Sequence, residues 1–237
     1  MNSHRPLPRL AFGQGRASDG SRELPEEVAV ALSYNGSTQA VMMASPAGLV
    51  DFAYGFSLTE GIAKPDEIDS VEIVETDLGI DLQIWLKSPA EDRLRARRRS
   101  MAGPVGCGLC GIESLEQALR PLPTLAPDAL GLTVAEAQTA LESLRGGQPL
   151  HDETRAVHGA GFWTRARGLV LTREDVGRHN ALDKLIGAMA RAGIDPAGGA
   201  VVLSSRVSVE MVQKCAMAGA PMILASSAPT AHAVRLA

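Results

Sequence analysis

The chain has 237 residues, 45% hydrophobic and 21% charged, with a formal net charge of −4 and three cysteines. That length supports one or two domains with real cores, the slight acidity argues against a general nucleic-acid surface, and no run approaches the ~20 apolar residues of a membrane helix. Cysteines this few and this unevenly spaced do not make a secreted disulfide scaffold, so a reduced, cytoplasmic setting is expected.

Residues 1–24 carry arginines, glycines and prolines without an apolar h-region, which predicts a disordered tail rather than a signal peptide. An N-terminal α+β lobe is expected over 25–100. It opens with a strand over 28–34, a turn at Asn35-Gly36 and a return strand over 37–44. Phe52, Phe56, Leu58 and Ile62 recur at helical spacing across 49–62. Two further strands follow over 68–74 and 80–86, and the polar, proline-bounded stretch 87–104 reads as a connector.

Residues 101–127 hold a cysteine loop and linker, and 128–237 the second domain. There, Thr133 to Glu136 is a capping box opening a helix to about Arg145. Strands are expected over 162–165 and 169–173, a helix over 180–192, a strand over 200–203, a helix over 208–218, a strand over 222–225 and a last helix after Thr230. The order α-β-β-α-β-α-β-α argues for a layered α/β domain, and for an α+β protein as a whole.

Three clusters could carry chemistry. Cys107 and Cys110 form a Cys-x-x-Cys flanked by Gly106, Gly108 and Gly111, just after a run containing Arg93, Arg95, Arg97, Arg98 and Arg99. Cations and a nearby helix start favour the reactive thiolate. The alternative is half of a structural zinc site, although a second Cys-x-x-Cys is absent and closed zinc sites need four ligands. The second cluster runs from Glu174 to Lys184, where Gly177 turns a strand into a helix with Arg178, His179 and Asn180 at its mouth. A helix start binds anions and Arg178 adds a bidentate fork, while Asn180 could instead be only a cap. The third places Arg206 and Ser208 at another strand-to-helix junction, where Ser208 is the expected N-cap. In open α/β sheets ligands sit beyond the carboxyl ends of strands, so the two junctions together suggest a phosphate-bearing ligand such as a nucleotide. His158 could face the same cleft. Cys215, in an apolar helical run, reads as a core thiol.

From residue 25 onward the sequence resembles the FdhD family of sulfur-carrier proteins, accessory sulfurtransferases of formate dehydrogenase. The resemblance rests on Asp51 to Gly61, on Gly106-Cys-Gly-Leu-Cys-Gly111, on Glu174-Asp-Val-Gly-Arg-His-Asn-Ala-Leu-Asp-Lys184, on Arg206 to Met211 and on Ala228-Pro-Thr230. It implies a dimer whose C-terminal lobe is a cytidine deaminase-like three-layer α/β domain. It also implies that Cys107 accepts persulfide sulfur from a cysteine desulfurase, with Cys110 assisting or resolving. The sulfur would pass to the molybdenum bis guanine-dinucleotide cofactor required by formate dehydrogenase, its nucleotide end held by Arg178, His179, Asn180, Arg206, Ser208 and His158. No permanent metal, nucleic-acid partner or membrane association is implied. Where that family shows Thr-Gly-Gly ahead of its histidine, this chain has Thr154-Arg155-Ala156. Competing readings are a thiol–disulfide oxidoreductase, a zinc-dependent nucleoside deaminase, and a chaperone whose cysteines are incidental.

Overall fold

The computed structural model describes residues 2–13, 15–100, 122–125 and 130–237. The first lobe is a four-stranded sheet of order β4-β3-β6-β5, built from β3 (Val28–Tyr34), β4 (Ser37–Ala44), β5 (Ile68–Thr76) and β6 (Gly79–Leu86). Asn35 and Gly36 both take positive φ, 48° and 78°, which is the geometry of a tight hairpin turn between twisted strands. Alternation along the strands sends Val30, Leu32, Tyr34, Leu82 and Ile84 to one face. There they meet Phe52, Ala53 and Phe56 of helix α1 (Leu49–Thr59). The Tyr34 hydroxyl stays satisfied in this core through Ser57 Oγ, 2.9 Å away.

Two stretches differ from expectation. Residues read as a disordered tail form a hairpin of β1 (His4–Gly13) and β2 (Arg16–Pro25), paired from His4↔Pro25 to Gly13↔Arg16. Most hairpin positions are exposed and none described is fully buried, so no buried stripe marks it as strand; Arg22 moors it by donating to the Thr154 carbonyl at 3.2 Å. The expected connector over 87–104 contains helix α2 (Ser88–Ser100). Its apolar signal is only Ala90 and Leu94, one turn apart and both buried against the first core.

The second lobe is a sheet of order β10-β9-β7-β8, made of β7 (His158–Thr164), β8 (Gly168–Asp175), β9 (Ala200–Leu203) and β10 (Ile223–Ala225). Ala160, Phe162, Val201 and Leu203 face helices α5 (Arg178–Arg191) and α6 (Val209–Ala218). Trp163 and Val202 face the other way, against Ala140 and Leu144 of α3 (Val134–Gly146). The result is helix, sheet, helix in three layers. A short α4 (Pro149–Thr154) precedes β7, and α7 (Ala231–Leu236) ends the chain, capped by Thr230 accepting from the Ala233 amide at 3.2 Å. Arg155 follows α4 at φ 56°, in the left-handed region that favours glycine.

The lobes meet where α1 crosses α5. A Cβ on Gly55 would fall 1.7 Å from the Asp183 carbonyl oxygen, and one on Gly187 would fall 1.8 Å from that of Asp51. Backbone therefore touches backbone at this crossing, and only glycine fits at either position. Among the described residues no helix is long and apolar enough to cross a membrane.

Candidate functional site

Strand direction gathers the polar clusters at one end of the second sheet. Strand β7 runs antiparallel to β8 and β9, so its first residue, His158, pairs with Asp175 at the end of β8. The end of β9 lies alongside, where the Gly159 amide donates to Ser204 Oγ at 2.8 Å. From this end α5 and α6 depart with Gly177 and Ser208 as their N-caps. His179 in the first turn of α5 places Nε2 2.5 Å from Oε2 of Glu210 in the first turn of α6, so the two helix starts are tied together.

The polar atoms at this mouth are incompletely satisfied. Arg178 Nε, His179 Nε2 and Ser208 Oγ are buried without a hydrogen-bond partner. His179 Nε2 nonetheless has the Glu210 carboxylate as an ion-pair partner. That contact holds the Glu210 carboxyl below its usual range. Ser208 is an N-cap by position, yet its side chain makes no capping bond. Buried polar groups without partners are uncommon and costly, and two of them, Arg178 Nε and Ser208 Oγ, lie at these two helix starts, where anions are favoured. His158 is half-buried, and burial with the nearby Arg178 charge pushes its ring below the usual histidine pKa, so it is neutral near pH 7. Arg206 is exposed, two residues before Ser208.

Asn180 differs from expectation. Gly177, not Asn180, is the cap, and Asn180 is buried with its amide donating to the Met43 carbonyl at 2.8 Å and to Asp175 Oδ1 at 3.0 Å. Cys107 and Cys110 lie outside the described residues. Cys215 is 1% exposed and desolvation pushes its thiol up to about 12, which keeps it in the unreactive protonated form. The His-x-Glu that a zinc deaminase would need does occur, as His151-Asp152-Glu153 on α4, but His151 Nδ1 lies 3.1 Å from the Val157 carbonyl. Among the described residues no group of three histidine, cysteine or acidic side chains is placed to hold a metal ion.

Sequence reasoning overlooked the polar seam between the lobes. Lys214 Nζ donates to Asp183 Oδ2 at 2.9 Å, Glu60 Oε1 at 2.8 Å and Thr59 Oγ1 at 3.1 Å. Burial alone would lower the Lys214 pKa, but Asp183 and Glu60 outweigh it and hold the ammonium charged. Lys184, also fully buried, pairs with Asp175, and Asp51 bridges Arg173 and Arg191. The available signal was a lysine on the apolar stripe of α6, Met211, Lys214 and Cys215 at helical spacing, all buried.

The match to known proteins covers both lobes. The FdhD/NarQ family model fits residues 25–237. The chain belongs to this family. It is 55% identical over 236 residues to the sulfur carrier protein FdhD of Agrobacterium fabrum, spanning 99% of this chain and 87% of that one. It is 52% identical over 231 residues to the protein of the same name from Bordetella petrii, spanning 97% and 82%. Among solved structures, a protein from Desulfotalea psychrophila assigned as a formate dehydrogenase accessory protein superposes with a TM-score of 0.75 at 25% identity, over 99% of this chain and 88% of that one. The FdhD resemblance read from the sequence motifs thus extends over the whole fold.

Proposed function

We propose that this chain is a sulfur carrier that serves formate dehydrogenase, with Cys107 as the residue that bears the sulfur. The Cys107 thiolate attacks the outer sulfur of a cysteine persulfide on a desulfurase; a new S–S bond forms, the donor's S–S bond breaks, and the donor cysteine leaves as thiolate. Delivery follows when the Cys110 thiolate attacks Cys107 Sγ. Hydrosulfide departs toward the molybdenum bis guanine-dinucleotide cofactor, which is the substrate. A Cys107–Cys110 disulfide remains, and a cellular dithiol reduces it. Arg178, His179 and Ser208 would hold the nucleotide phosphates, with Arg206 at the rim and neutral His158 able to give or accept a hydrogen bond.

The observation that carries this reading is the pair of partnerless buried polar atoms, Arg178 Nε and Ser208 Oγ, at two converging helix starts, in a chain whose relatives are named sulfur carriers. The setting proposed is the cytoplasm, with the protein working as a dimer. In cells deprived of their own carrier, the wild-type chain should restore formate dehydrogenase activity and Cys107→Ala should restore none, at equal amounts of both proteins. Full activity with Cys107→Ala would leave only a binding chaperone.

A further inference from the structure

Asp175 closes β8, is 0% exposed, and sits at the foot of the mouth without facing it. Both of its carboxylate oxygens are occupied. Oδ1 accepts from the Gly177 amide at 2.7 Å and from Asn180 Nδ2 at 3.0 Å. Oδ2 accepts from the Ser45 amide at 3.0 Å and from Lys184 Nζ at 2.5 Å. The first pair fixes the turn that launches α5, and the two residues between Gly177 and Asn180 are Arg178 and His179. The second pair reaches across to the first lobe, where Lys184 also donates to the Ser45 carbonyl at 2.9 Å. Ser45 Oγ accepts from the Val176 amide at 3.2 Å and Asn180 donates to the Met43 carbonyl, so the end of β4 and the turn after it grip the same segment.

A carboxylate with every acceptor engaged inside the protein has nothing left for a ligand, yet its bonds set where the neighbouring side chains point. We infer that Asp175 is the positioning residue of the anion pocket, bracing the first turn of α5 against Ser45 of the other lobe so that Arg178 and His179 are aimed at the mouth. Asn180 belongs to that brace and not to the set of groups that touch the ligand. The pocket of the second lobe is therefore built in part by the first. This inference rests on the nucleotide-pocket reading above.

The test is calorimetric titration of GDP into the full chain, with thermal melting of the same samples. Wild type binds GDP and Arg178→Ala does not. Asp175→Asn and Asn180→Ala, measured where they are fully folded, lose roughly 10- to 100-fold in GDP affinity, the scale expected when a positioned group shifts by about 1 Å. Leu144→Ala, a core truncation on the far face of the sheet, melts lower yet binds GDP as wild type does. Asn180→Ala leaves the Asp175–Lys184 pair intact and carries the test if Asp175→Asn does not fold. If both brace variants melt lower and bind GDP normally, Asp175 is structural only and the inference is overturned. If Arg178→Ala binds GDP like wild type, or wild type does not bind it, the pocket reading fails and the positioning role falls with it.

Discussion

Helix α5 borders two polar regions that obey opposite rules. On its side toward α1, Lys184, Asp183 and Lys214 are buried and each is paired. At its first turn, Arg178 Nε, with Ser208 Oγ across the gap, is buried without a hydrogen-bond partner, while His179 is ion-paired to Glu210. Burying a charge is tolerable only when pairing returns most of the lost hydration, so the first region is explained by folding alone. The second is not, since an unmet buried polar atom costs about 1–3 kcal/mol. Satisfied polarity is explained by structure here, and the unsatisfied polarity at the two helix starts is what the proposed anion pocket would use.

The sharpest way to break that contrast is to unpair the seam. Lys214→Met strands Asp183 in the interior and should cost about 3–5 kcal/mol, lowering Tm by roughly 6–20 °C. A melting curve unchanged from wild type would show that the seam carries no stability. A smaller effect compares two N-caps. Thr133 accepts from the Glu136 amide at 3.2 Å and Glu136 reaches back to the Thr133 amide at 2.8 Å, with Arg165 holding that carboxyl down to about 2. Thr133→Ala should therefore cost about 1 kcal/mol. Ser208→Ala should cost nothing measurable or raise Tm slightly, because its hydroxyl caps nothing. Denaturant unfolding of both variants checks the pair, and equal losses would contradict the distinction.

What could be read from sequence follows the same physical logic. The run 200–203 lies in a strand buried on both faces and reads as an apolar block, and its bounds coincide with β9. Asn35-Gly36 encodes a backbone geometry few other pairs accept, so β3 and β4 also fall where expected. Strand β7 starts at His158, earlier than the expected 162, because Gly159 and Gly161 give no side-chain alternation. Their missing side chains make room for Gln148 and for Leu169 and Leu144. The β1–β2 hairpin has no buried face and α2 has only a two-residue apolar stripe, so neither leaves a periodic trace.

The junctions that put Arg178, His179 and Ser208 at helix starts were legible because strand-to-helix junctions are local. The role of Asn180 was not, since its partners Asp175 and Met43 combine a neighbour in sequence with a residue from the other lobe. The same holds for Lys214, whose partners Glu60 and Thr59 come from the end of α1. Arg155 shows the reverse case: its positive φ gives a backbone reason for glycine at that position, where this chain carries arginine.

The most direct measurement is the intact mass of the full chain after incubation with a cysteine desulfurase and free cysteine. Wild type should gain one sulfur, reversed by a thiol reductant, and Cys107→Ala should gain none, while Cys215, buried and held protonated, stays unmodified in both. Sulfur that still appears on Cys107→Ala, or a wild-type chain that never gains any beside an active donor, would contradict the account.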